Sequence, residues 1–132
     1  MHGNLGEEVH TLSHFPMHLF YIPFPDHEKA LEIAQKTVTS HLAACANILP
    51  PMTSLYLWSE EGREESLCQD QEIAVLFKVA PQNKEFFVTF IEKHHPYTCP
   101  AIICMDATAN PAFETWINRH AAIGHSDKNI HR

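Results

Sequence analysis

The spacing of apolar residues changes several times along this chain, and each change predicts an element. Residues 18–22 are a short β-type run closed by Pro23 and Pro25. Asp26 then offers a helix N-cap, and Ala30, Leu31, Ala34, Val38 and Leu42 follow at helical spacing. Residues 43–58 are rich in strand formers but carry Pro50 and Pro51. Proline cannot donate to a ladder, so the strand must bulge, bend or lie on an edge there. The polar stretch 59–71 reads as a solvated hairpin loop with acids at Glu60, Glu61, Glu64, Glu65 and Asp70. Residues 72–79 are almost continuously apolar, as in a strand covered on both faces. Pro81 suits a first helical position, and Phe86, Phe87, Phe90, Ile91 and His94 mark an amphipathic helix that must stop before Pro96. Residues 101–105 are a further strand. Asn110 and Pro111 open a last helix carrying Phe113, Trp116, Ile117 and His120, with Gly124 as its expected stop.

The order is strand, helix, strand, hairpin, strand, helix, strand and a terminal helix. Two β-α-β units joined by a hairpin predict an α+β fold, a ferredoxin-like βαββαβ sandwich with an extra C-terminal helix. Right-handed crossovers put both main helices on one face of the sheet. Strands that are apolar on both sides then need a second cover, and a symmetric oligomer is the simplest one. Residues 1–17 are expected to be a flexible arm, 18–124 the domain and 125–132 a polar tail.

Composition narrows the function. The chain has 132 residues, enough for one domain. Nine Lys and Arg stand scattered against sixteen acids, for a formal charge of −7. Phosphate-rich partners need clustered cations, so neither nucleic acid nor an anionic membrane surface is expected. No apolar run approaches the ~20 residues of a membrane span, and the polar start does not look like a secretory leader. The expected location is cytoplasmic. Eleven histidines are the unusual feature: protonating all of them would turn −7 into +4. His10, His14 and His18 are spaced by four, but without a capping signal a shared helical face is the weaker reading. The four cysteines form no C-x-x-C pair. Cys45 and Cys104 read as packing residues, and Cys68 as an exposed loop thiol. Glycine-rich phosphate loops and nucleophile elbows are absent from the sequence, so no enzyme activity is expected.

Two blocks carry a family resemblance. Leu42-Ala-Ala-Cys-Ala-Asn-Ile-Leu-Pro50, with residues 52–58 after it, resembles the long second strand of CutA proteins. His94-His-Pro-Tyr97, followed by Pro100, resembles that family's turn before its fourth strand. Residues 72–78, ending in lysine, and Trp116-Ile117 are similar to its third strand and terminal helix, so the likeness covers roughly residues 18–118. The resemblance implies a PII-like homotrimer associated with tolerance of divalent cations. It also implies that His94 and His95 bind copper or another divalent ion, a task suited to neutral imidazole. Some members add a cysteine near the end of the first strand. Ile22 stands there in this chain, and Cys99 is the thiol that could replace it. Trp58, Lys78 and Tyr97 match positions around a cleft between subunits, where a signalling or scaffold trimer would take a small anion or a protein partner. Ala101 replaces an acid common in the family, which removes an acid–lysine pair from that cleft.

Overall fold

The computed structural model describes residues 16–131, with side chains through Ala121. The elements in order are β1 (Met17–Phe24), α1 (His27–Thr39), β2 (Cys45–Ile48), β3 (Met52–Trp58), β4 (Ser66–Val79), a 3₁₀ turn (Pro81–Asn83), α2 (Lys84–His94), β5 (Ile103–Ala107) and α3 (Pro111–His131). The sheet runs β2-β4-β1-β5, with β3 continuing the line of β2 along β4. All of its pairings are antiparallel. This is the ferredoxin-like order the alternating elements predict.

The prolines set the break between β2 and β3. Ile48 pairs with Val75 and Met52 with Glu72, so this side uses one residue more than β4 does. Pro50 and Pro51 fall in that step, where a bulge removes the need for their missing N–H groups. α1 begins as expected: the Asp26 carboxylate accepts the Lys29 N–H at 2.8 Å. It ends where His41 takes a left-handed backbone, φ 64°, and Leu42 N–H donates to the Thr37 carbonyl at 2.9 Å.

Phe20, Ile22 and Phe24 of β1 alternate onto the face shared by Ile73, Val75, Phe77 and Val79 of β4. Ala30, Ile33 and Ala34 of α1 and Phe87 and Ile91 of α2 close that layer. The second face is partly covered from within the chain. Ile117 and Ala121 of α3 pack on Met17, Leu19, Ala44 and Ala107.

Five expectations need correction. Cys68, expected as an exposed loop thiol, lies in β4 and is half-buried, because the strand begins before it. Residues 66–71 are strand, not loop: β3 and β4 pair through Trp58 and Ser66, leaving 59–65 as the connection. Ladder hydrogen bonds and cross-strand contacts hold this polar stretch without an apolar core. The fourth strand of the reading begins two residues later, at Ile103. Cys104 is exposed on this edge strand rather than packed in the core. The last helix passes Gly124, because an interior glycine costs only about 1 kcal/mol. His18 is the second residue of β1, so it shares no helical face, while His10 and His14 lie outside the described residues.

Candidate functional site

The His-His-Pro-Tyr turn follows α2. His94 is its last residue and is exposed, its ring tilted against Phe90 at 4.2 Å. His95 differs sharply: it is 7% exposed and stacks on Phe24 at 4.6 Å. The Tyr97 N–H donates to His95 Nδ1 at 3.0 Å. Nδ1 is therefore the acceptor nitrogen, and Nε2 carries the proton it donates to the Pro23 carbonyl at 2.8 Å. Burial holds the His95 pKa below its ordinary value, partly offset by the Pro23 carbonyl and the Glu72 charge. Both ring nitrogens are thus in use, and a metal could take His95 only by breaking one of these bonds. Cys99 is exposed in the loop that follows. Ile22, which stands in place of the family's cysteine, is fully buried among the core residues.

Tyr97 leads from this turn into a groove of about 580 Å³ lined by Tyr56, Trp58, Asp70, Glu72, Pro96 and Cys99, among others. The Tyr97 hydroxyl donates to Glu72 at 2.7 Å, Ser54 donates to the same carboxylate at 2.7 Å, and Tyr56 donates to Asp70. The bond to Asp70 pushes the Tyr56 phenol up to about 12, and burial together with Glu72 raises that of Tyr97. Trp58 and Tyr97 thus line one groove of the single chain. Lys78 does not join them within one chain. It lies six residues along β4 from Glu72, about 20 Å away at strand spacing. There its ammonium meets the Asn47 side-chain oxygen at 2.5 Å and stands 5.8 Å from the Phe113 ring. The groove of a single chain is acidic.

A different cluster escaped the sequence reading. His18 and Asp106 are direct cross-strand partners on β1 and β5. Cys104, two residues before Asp106, shares its face. One potential ligand atom from each of the three lies within 4.8 Å of the others, and among the described residues this is the only group of three or more such side chains. His94, His95 and Cys99 do not form one. His18 Nδ1 sits 2.8 Å from the Asp106 carboxylate, yet it is a buried atom with no properly directed hydrogen bond. Burial raises the Cys104 thiol pKa, with Lys84 pulling the other way. The available signal was an aspartate and a cysteine two apart in an otherwise apolar strand. Pairing them with His18 needs the β1–β5 register.

Comparison with known proteins agrees with this architecture. The family described as "CutA1 divalent ion tolerance protein" matches residues 18–120. The chain is 33% identical over 95 residues to the divalent-cation tolerance protein CutA of Salmonella newport, covering 71% of this chain and 78% of that protein. Its fold is similar to that of the divalent ion tolerance protein CutA1 from Ehrlichia chaffeensis, with TM-score 0.73, 31% identity and coverage of 82% and 97%. It is also similar to the periplasmic divalent cation tolerance protein CutA from Archaeoglobus fulgidus, with TM-score 0.71, 27% identity and coverage of 80% and 98%. A match over most of the chain, in sequence and in fold, makes this protein a member of the CutA1 divalent-ion-tolerance family.

Proposed function

We propose that this chain acts as a homotrimeric divalent-cation tolerance protein that takes up copper, or another divalent ion, weakly through the turn at His94. The observation that carries the reading is the division of labour between the two histidines. His95 is locked into the fold by both ring nitrogens, whereas His94 presents an exposed imidazole beside that fixed turn. A lone imidazole on a rigid base binds borderline ions with low affinity and releases them readily. Cys99 is the nearby thiol that could add a second donor, and His95 serves as the positioning residue. Assembly is favoured by apolar side chains left on the surface, with Leu55, Leu57 and Leu67 on the β3–β4 hairpin and Ile103 and Met105 on β5.

Calorimetric titration of Cu²⁺ and Zn²⁺ into the wild-type chain, His94→Ala and Cys99→Ser tests the reading. The weak binding heat is expected to disappear in His94→Ala. An isotherm unchanged by that substitution overturns the role of His94, and one unchanged in Cys99→Ser removes the thiol alone.

The alternative, a signalling or scaffold trimer that holds a small anion at clefts between subunits, has less support. Asp70 and Glu72 line the groove, and Lys78 of the same chain is engaged elsewhere. A protein partner with a basic contact suits that groove better than an anion.

A further inference from the structure

We propose that His18, Cys104 and Asp106 form a second, better-built divalent-metal site, suited to zinc or a similar borderline transition ion. It is separate from the His94 turn and stands whether or not that turn binds an ion.

Three observations carry it. The first is geometry: one imidazole nitrogen, one sulfur and one carboxylate oxygen lie within 4.8 Å of one another. Zinc bonds of about 2.0–2.3 Å in a tetrahedral array place donor atoms roughly 3.3–3.8 Å apart. The nitrogen–oxygen contact, 2.8 Å here, must open slightly, and no other donor separation has to close by more than about 1.5 Å. Side-chain rotation supplies movements of that size.

The second is the state of His18. Its side chain is 12% exposed, and Nδ1 is buried without a hydrogen-bond partner although a carboxylate oxygen lies 2.8 Å away. A buried ring nitrogen left in this way is costly. An ion seated between the three side chains gives Nδ1 a partner and draws Asp106 off its poor line of approach. A plain histidine–aspartate ion pair would leave the adjacent thiol without a part.

The third is the setting. The donors come from paired antiparallel strands, which hold them more firmly than a loop does. Asp106 is 49% exposed at its side chain, so an ion can enter and water can fill the fourth position. Nitrogen, sulfur and oxygen together select zinc, cobalt or copper over calcium and magnesium, which prefer oxygen alone.

Cobalt is a visible stand-in for zinc. Titrating Co²⁺ into the full chain, under reducing conditions, is expected to produce tetrahedral d–d absorption and a sulfur-to-cobalt charge-transfer band that saturates at one ion per chain and is displaced by Zn²⁺. Cys104→Ser should abolish the charge-transfer band. Asp106→Asn, at an exposed position that leaves the fold intact, should weaken cobalt binding by about tenfold or more. His94→Ala and Cys99→Ser should leave the band unchanged. A wild-type chain with no charge-transfer band, or a band that survives Cys104→Ser, overturns the site. If the band is absent while His94→Ala still removes the calorimetric heat, the second site falls and the turn site stands.

Discussion

His95 shows how one residue can look like a ligand and serve as a support. Its ring lies 4.6 Å from Phe24 and 4.9 Å from Tyr97, and it joins the Pro23 carbonyl to the Tyr97 amide. Removing it in His95→Ala costs two hydrogen bonds and an aromatic contact, expected to lower stability by about 2–3 kcal/mol in urea denaturation. Its pH dependence follows from burial, which favours the neutral ring and depresses the folded pKa. An unfolded histidine takes up its proton near 6.5. The His95 contribution is therefore complete above about pH 6.5 and is lost as pH falls from there toward the depressed folded value. A ring-proton NMR titration should place the His95 midpoint below 6.5. The thermal midpoint should fall over the same acidic interval, and His95→Gln should flatten that fall.

Elements in this protein depend on different kinds of support. α1 is specified locally: Asp26 caps its first turn, Lys36 and Lys29 flank Glu32 at 3.1 and 3.4 Å, and an apolar stripe meets the sheet. The surface ion pairs contribute little, and the cap contributes more. Asp26→Ala should destabilise the chain by about 1 kcal/mol in chemical denaturation, while Asp26→Asn, whose side-chain oxygen can accept the same Lys29 N–H, should avoid most of that loss. β4 contrasts with α1 because its first half has no apolar stripe. Gln69, Asp70, Gln71 and Glu72 stay extended by pairing with β3, helped by Tyr56, Ser54 and Tyr97 at the two carboxylates. Such a segment is strand only while its partner is present.

At the scale of the molecule, the hairpin of β3 and β4 extends beyond the helical layer and leaves Leu57 and Leu67, a cross-strand pair, 60% and 69% exposed. α3 covers only the end of the second sheet face near Met17, so Ile103 and Met105 are also left open. Burying a leucine side chain is worth about 1.5–3 kcal/mol, enough for a few such residues to favour the proposed trimer strongly. Sedimentation equilibrium at micromolar concentration should give three times the chain mass. The double substitution Leu57→Glu and Leu67→Glu should reduce it to one chain with the helical spectrum preserved. A wild-type chain that sediments as a folded monomer would rule the trimer out.

The sequence by itself determined the elements, their order and the fold class. Periodicity, prolines and caps act over a few residues, and those residues are adjacent in the chain. Only the tertiary structure decided which polar atoms remain free. It engaged both nitrogens of His95, turned the Lys78 ammonium to Asn47 and the Phe113 ring, and drew residues 66–71 into the sheet. It also brought His18 opposite Asp106, 88 residues away in the chain, with Cys104 beside them. Alternation along a strand tells which face a residue takes, but not which residue of another strand it meets. That second fact comes from register, which is settled when the whole sheet packs.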